Sequence, residues 1–218
     1  MVDPDPDPDP PQRRFGHAPL GRRGLIVGVM LLAFLAIVGG SRLMRGTTGG
    51  VGGITQALAP FPGFPVVTPA RARIGTTGSV RSAYGEIAQQ GRVDWRRQFI
   101  LAGQPWQDPR LTVDVPPVGR AGLRARSVFM VGERIGDWAQ QLMGIPGLLE
   151  VAHRKGQLSV AAVAAQTRDL VSCLTGVWGR SMISGAALVA VAPATQADWV
   201  AHGAASGVPS SCVSAASG

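Results

Sequence analysis

The stretch that decides the organisation of this chain is Gly24–Gly40, GLIVGVMLLAFLAIVGG, which has no charged or polar side chain over 17 residues. A helix of that length rises ~26 Å at ~1.5 Å per residue, close to the ~30 Å hydrocarbon thickness of a bilayer. Arg22 and Arg23 precede it and Arg42 follows it, so their long side chains can reach the lipid head groups. The stretch therefore predicts a transmembrane helix over residues 24–41 rather than a helix buried in a soluble core.

The basic residues around this segment predict its orientation. Four arginines precede it, whereas only Arg42 and Arg45 follow within the same reach, and the side with more basic residues stays in the cytoplasm. We therefore expect a single-pass protein of the bacterial inner membrane, with a cytoplasmic N-terminus and a periplasmic C-terminal domain. The arginines that set this topology are Arg13, Arg14, Arg22 and Arg23.

A cleaved signal peptide is the competing interpretation of the same stretch, because Val38-Gly39-Gly40 offers small residues near a cleavage site. The apolar run is longer than the usual signal peptide core of about 7–15 residues, so we favour an uncleaved anchor. Small residues also recur on one face of the segment, where they allow close packing of a second helix. This face predicts a homo-oligomer or contact with another membrane subunit, and consists of Gly24, Gly28, Ala36 and Gly40.

Proline and glycine dominate the chain on both sides of the apolar segment. Residues 1–23 contain alternating Asp-Pro, which forms neither a helix nor a paired strand, and predict a disordered cytoplasmic tail. Residues 42–79 show no sustained hydrophobic period and predict a flexible Gly/Pro-rich linker. Within it, Phe61 and Phe64 stand between prolines. That pattern suits docking in a neighbouring groove or a plain spacer, and we favour the spacer.

Residues 80–218 predict a small α+β domain with a helical second half. Short apolar or alternating runs indicate strands at Arg97–Ala102, Leu111–Val115, Ser127–Val131 and Ala186–Ala192. Four residues spaced like one helix face indicate a helix, and these are Val131, Ile135, Trp138 and Leu142.

Two further helices are indicated by their N-terminal signals. Ser159 resembles an N-cap of a helix that runs through Leu174. Thr195 with Asp198 resembles a capping box at the start of a final helix.

The two cysteines, Cys173 and Cys212, predict one disulfide, because an even count in an exported domain is typical of a bridge. The bond would close a loop of about 40 residues and contribute at most about 4 kcal/mol. Two unrelated thiols are the alternative. Thiol-redox catalysis is not expected, since the chain lacks Cys-x-x-Cys.

The composition excludes several classes of protein. The chain has 218 residues, a net charge of +8, two cysteines and three histidines, which are too few ligands for a multi-metal protein. Glu133 and Asp137 lie four apart on a predicted helix and could form a glycosidase pair. Neighbouring carboxylates are common on solvated helix faces, however, and Arg134 lies between them. No catalytic, metal or cofactor-binding residue is therefore assigned, and no cofactor is expected.

Basic clusters near tryptophans raise the question of nucleic acid. These clusters are Arg92, Arg96 and Arg97, and Arg120, Arg124 and Arg126, with Trp95 and Trp106 nearby. No nucleic-acid-binding motif accompanies them, so contact with anionic lipid or an acidic protein is favoured over nucleic acid.

This layout predicts a non-enzymatic membrane subunit of a bacterial envelope machine, an accessory or scaffold of a conjugation or type IV secretion apparatus. The expected partners are other membrane or periplasmic subunits, the lipid bilayer and a second copy of the chain. The alternatives are a membrane-tethered periplasmic enzyme that acts on cell-wall glycan through Glu133 and Asp137, and an exported binding protein released by signal cleavage.

Overall fold

The computed structural model describes residues 51–67, 80–112 and 122–214, which form eight helices and no strand. The helices are α1 Val51–Leu58, α2 Val80–Leu101, α3 Leu123–Leu142, α4 Ile145–Arg154, α5 Val160–Gly179, α6 Gly185–Val189, α7 Ala197–Ser206 and α8 Ser211–Ser214. Helix α5 is central, because it packs against α3, α4, α6, α7 and α8.

The predicted α+β class is wrong, since no strand occurs in the described ranges and three of the four segments read as strands lie wholly or largely in helices. Arg97–Leu101 is the end of α2 and Ala102 follows it in a turn, Ser127–Val131 lies inside α3, and Ala186–Ala192 contains most of α6. The predicted strand Leu111–Val115 begins in irregular chain, and its residues from 113 onward lie outside the described ranges. A short apolar run fits a buried helix as well as a strand. Only the period of the apolar residues over a longer stretch distinguishes the two structures.

That longer period is clear along α2. Its buried residues recur every three or four positions, which places them on one helix face against α3. The buried residues of this face include Tyr84, Ile87, Ala88, Gly91, Trp95 and Phe99.

Other helix predictions are confirmed in part. Val131 to Leu142 is helical, and Ser159 caps α5 because its hydroxyl oxygen accepts a hydrogen bond from the Ala162 N–H at 3.1 Å. Helix α5 continues to Gly179, beyond the predicted end. The capping box is wrong, since Gln196 holds the N-cap position of α7 and makes no side-chain capping bond.

Two glycines allow α5 and α7 to pack in close contact. A Cβ on Gly203 would overlap the carbonyl oxygen of Cys173, and one on Gly176 would overlap the carbonyl oxygen of Val200. Backbone atoms cannot move aside as a side chain can, so any larger residue would push the helices apart. The disulfide predicted between Cys173 and Cys212 is present and ties α8 to α5.

Part of the predicted linker is folded. Helix α1 buries Ile54 and Leu58, and the chain after it buries both phenylalanines. Phe61 packs edge-on against Phe99 with ring centroids 4.9 Å apart, and Phe64 packs similarly against Trp95 at 5.0 Å. Residues 51–67 are therefore packed against the core through these four side chains rather than forming a spacer.

No helix in residues 51–67, 80–112 or 122–214 combines the length and apolarity needed to cross a bilayer. This finding contradicts the predicted localisation, which was that of a single-pass inner-membrane protein with a periplasmic domain. The segments on which that localisation depended lie outside the described residues. They are the tail 1–23, the predicted span 24–41, the packing residues Gly24, Gly28, Ala36 and Gly40, and the topology residues Arg13, Arg14, Arg22 and Arg23.

Candidate functional site

An extended segment, residues 61–67, crosses the helices and forms one wall of the candidate site; we call it the strap. Backbone bonds hold it, because the Phe64 N–H donates to the Gly207 carbonyl at 3.1 Å and the Val67 N–H donates to the Arg180 carbonyl at 3.1 Å. Prolines at 62 and 65 prevent the strap from continuing helix α1. The strap is therefore a fixed part of the surface.

Gly63 is a position where the strap lies in close contact with the rest of the fold. Its φ of 95° lies in the left-handed region, and a Cβ there would overlap the Gly207 carbonyl oxygen. The buried side chain of Gln98 holds it from the other side. The Gly63 N–H donates to Gln98 Oε1 at 3.0 Å, and Gln98 Nε2 donates to the Gly63 carbonyl at 2.6 Å.

Between the strap, the end of α2 and the end of α7 lies a groove of about 560 Å³, which we call the strap groove. Its wall combines aliphatic and charged side chains. The residues that matter for its chemistry are Val66, Asp94, Arg97, Leu101, Arg180 and Val208.

Aliphatic side chains around the strap groove are unusually exposed. Val66 is 62% exposed, Leu101 59% and Val208 38%. Ile100, 67% exposed, is the neighbour of Leu101 on α2, and Val93, 47% exposed, lies two turns earlier. Three of the six large exposed hydrophobic residues in the described part of the chain therefore line the strap groove, whereas Ile100 and Val93 lie outside its lining. Clustered exposure of this kind marks interaction sites, whereas scattered exposure does not.

The charge that the strap groove offers to a ligand is positive. Arg97 is exposed, and no hydrogen bond or ion pair joins its guanidinium to another described residue. Asp94, by contrast, is buried and already accepts hydrogen bonds from Gln90 Nε2 at 2.9 Å and Trp178 Nε1 at 3.3 Å. Arg180 donates to the Ala205 carbonyl at 3.1 Å and lends further positive charge.

The two carboxylates considered from the sequence line a second groove, of about 480 Å³, between α3, α5 and the turn before α7. Glu133 is half-buried and its Oε1 accepts from Gln196 Nε2 at 3.0 Å. Asp137 accepts from Gln140 at 2.9 Å and from Gln141 at 3.0 Å. Thr167 and Arg168 face them across the groove. We call this the carboxylate groove.

Burial raises the pKa of Glu133, and this effect outweighs the Gln196 hydrogen bond and the nearby Arg134 charge, which both lower the pKa. A carboxyl group with a raised pKa keeps its proton to higher pH, which is the property required of a general acid. The helical spacing does bring Glu133 and Asp137 to one groove.

Several of the other residues singled out in the sequence have structural partners, and Arg120 lies outside the described residues. Cys173 and Cys212 form the buried disulfide. Arg96 pairs with Asp108, and Arg124 donates to the Met182 carbonyl at 3.2 Å. Trp95 is fully buried, so it cannot stack on a base.

No group of three or more histidine, cysteine or acidic side chains with metal-binding geometry occurs in the described ranges. His153 and His202 each bond a backbone carbonyl, that of Leu158 at 2.8 Å and that of Ser211 at 3.1 Å.

Sequence reasoning missed most of the strap groove. Arg97 was recognised only as part of a basic cluster, and Val66, Gln98 and Val208 carried no signal, since a single residue in an irregular stretch has no period to read. The alternation of phenylalanine and proline in the strap is compatible with docking, but from the sequence a plain spacer is the favoured interpretation.

No protein-family model matches the chain, and no curated protein or solved structure matches it either. Function is therefore inferred from the geometry and charge of the two grooves.

Proposed function

We propose that residues 51–214 contain a non-enzymatic protein-interaction domain that binds another protein through the strap groove. The observation that carries this proposal is the meeting of three exposed aliphatic side chains, Val66, Leu101 and Val208, beside the guanidinium of Arg97, which has no hydrogen bond or ion pair with another described residue. Interface centres are typically built from an apolar patch that includes arginine.

The rigidity of the groove supports the same function. Its walls are held by the bridging amide of Gln98, by the two strap backbone bonds and, on the α7 side, by the disulfide that follows Val208 along the chain. A groove that is already formed does not have to be ordered when the partner binds, so less conformational entropy is lost.

The proposed class of partner is taken from the sequence hypothesis. It is another protein component of a bacterial machine such as a conjugation or type IV secretion apparatus. An accessory or scaffold subunit of such a machine needs a docking surface and no catalytic centre. The strap groove meets that need, since its exposed residues are suited to contact rather than to proton or group transfer.

Site-specific photo-crosslinking in the native host tests this function. A photoreactive phenylalanine analogue replaces Leu101 or, separately, Val66, and the control replaces Val160, which is 70% exposed on α5. We expect one shared protein partner to be captured from both groove positions and not from position 160. Capture of the same proteins from all three positions, or of none from the groove, would contradict a docking role.

The carboxylate groove favours a second candidate, an enzyme that acts on cell-wall glycan. The observation behind it is the raised pKa of Glu133 with Asp137 in the same groove. Glu133 would donate a proton to the leaving oxygen and Asp137 would act as the second carboxylate.

Glu133→Gln and Asp137→Asn test the enzyme candidate. If it is correct, both substitutions abolish release of soluble fragments from purified peptidoglycan while the melting temperature stays within a few degrees of wild type. Wild-type protein that releases no fragments, or variants as active as wild type, would eliminate it.

A further inference from the structure

We infer that the strap groove recognises a short acidic segment of its protein partner, with a carboxylate bound at Arg97 and an adjacent apolar side chain bound among Val66, Leu101 and Val208. The inference rests on the proposed docking function and specifies the chemistry of the ligand.

The guanidinium of Arg97, which is unpaired within the part of the chain that the structure describes, supplies the first step. Arginine carries five N–H donors in a planar fork that matches the two oxygens of a carboxylate. The groove-lining carboxylate of Asp94 is buried and already bonded to Gln90 and Trp178. The strongest available acceptor for Arg97 is therefore a carboxylate brought by the ligand.

The aliphatic walls supply the second step. Val66 and Leu101 remain more than half exposed while they line the same groove as Arg97. A ligand that supplied only a carboxylate would leave these side chains in water. A ligand that joins a carboxylate to an apolar side chain covers both features and removes the apolar surface of the groove from water.

The size of the groove and the charge of the chain favour an extended acidic segment over a basic one. A volume of about 560 Å³ accommodates a few side chains of a peptide. The chain carries a net charge of +8, which attracts acidic partners and repels basic ones.

Single-stranded nucleic acid is the competing acidic ligand, but it binds largely by stacking its bases on exposed aromatic rings. Phe61, Phe64 and Trp95 near this groove are all buried. The aliphatic walls therefore favour a peptide.

Fluorescence anisotropy with the full-length chain and labelled ten-residue probes tests the inference. The main probe alternates leucine with aspartate. The controls alternate leucine with lysine, alternate serine with aspartate, or consist of ten deoxythymidines. We expect saturable binding of the leucine–aspartate peptide, at least about tenfold tighter than any control, since each control lacks a charge-assisted bond or the apolar contact.

Matched variants locate the binding. Arg97→Glu is expected to weaken the leucine–aspartate peptide at least about tenfold, and Arg97→Lys to weaken it less, because lysine keeps the charge and loses the planar fork. Leu101→Ser is expected to weaken it as well. Arg110→Glu changes the net charge by the same amount at an exposed position outside the groove, and Val160→Ser removes an equally exposed apolar side chain. Both controls should bind as wild type does.

Several results would overturn the inference: equal weakening by Arg110→Glu, equal affinity for the serine–aspartate peptide, or tighter binding of the deoxythymidine probe. Absence of peptide binding would overturn it too. If photo-crosslinking at position 101 still captures a specific protein in that case, the docking function stands and only the carboxylate chemistry fails. If both experiments fail, the docking function fails with it.

Discussion

Gln98 holds Gly63 by both ends of its side-chain amide, accepting from the Gly63 N–H at 3.0 Å and donating to the Gly63 carbonyl at 2.6 Å. Two residues that are 35 positions apart are thereby joined by a pair of hydrogen bonds, as residues on neighbouring strands are, although one partner here is a side chain. Gln98 is 4% exposed, so water cannot readily replace either bond. The strap and α2 therefore act as one wall of the groove.

We expect Gln98→Leu to lower the free energy of unfolding by about 2 kcal/mol, because both polar groups of Gly63 lose their partner while remaining partly buried. Urea denaturation monitored by circular dichroism measures the change. Gln157→Leu is the matched control, since Gln157 is exposed. A loss no greater than that of the control would show that the bridge does not hold the strap.

Replacing Gly203 by alanine is expected to cost more than about 2 kcal/mol, because the new Cβ overlaps the Cys173 carbonyl and forces α7 away from α5. Gly147→Ala in α4 is the matched control, since a Cβ there meets nothing within 4 Å. That substitution should be neutral or stabilise by up to about 1 kcal/mol through helix propensity. Thermal melts of both variants measure these effects. Equal shifts in melting temperature would argue against the close packing of α5 and α7.

Loss of the disulfide is expected to lower stability by at most about 4 kcal/mol, from the chain entropy of a 39-residue separation. Cys173→Ala/Cys212→Ala removes the bond and both thiols together. Urea unfolding of this double variant is compared with that of wild type, with and without reductant. Wild type should lose stability on reduction and the double variant should not. If reductant destabilised both proteins equally, the loss of stability would have a cause other than reduction of this bond.

The raised pKa of Glu133 predicts a specific pH dependence of stability. Its folded pKa lies above the ordinary value of 4.5, so the folded state binds the proton more tightly than the unfolded state does. The resulting stabilisation is complete below 4.5 and is lost as the pH rises through the folded pKa. Glu133→Gln should remove this dependence, because glutamine keeps a similar shape without titrating.

Melting temperatures of wild type and Glu133→Gln across the acidic to neutral range check the prediction. The difference between the two curves isolates Glu133, since the other titrating groups are common to both proteins. We expect the variant to gain stability relative to wild type as the pH rises. A difference that stays constant with pH would contradict the raised pKa.

The features that could be predicted from the sequence are mainly those that depend on residues close together along the chain. The cap at Ser159 and the α5 helix follow from residues three or four apart, and both were predictable. The disulfide followed from the cysteine count. The end of α2 resembles a strand when Arg97–Ala102 is taken alone, whereas the helical period that includes it begins near Tyr84.

The strap groove depends on contacts that the sequence does not mark. Gln98 meets Gly63 across 35 residues, and Val208 comes beside Leu101 only after the chain has passed through five further helices. Arg97 could be recognised as basic, but whether it is paired depends on the position of Asp94, which in turn depends on Trp178. Such a site is a product of tertiary packing rather than of local pattern.

The disulfide also governs how mechanical load passes through the domain. Tension applied to the chain beyond Cys212 crosses the sulfur–sulfur bond to Cys173 on α5 and bypasses the intervening 38 residues. Helix α7 and the groove wall at Val208 lie within that bypassed loop. A pull on the C-terminus would therefore strain the central helix first and leave the docking surface in its resting shape.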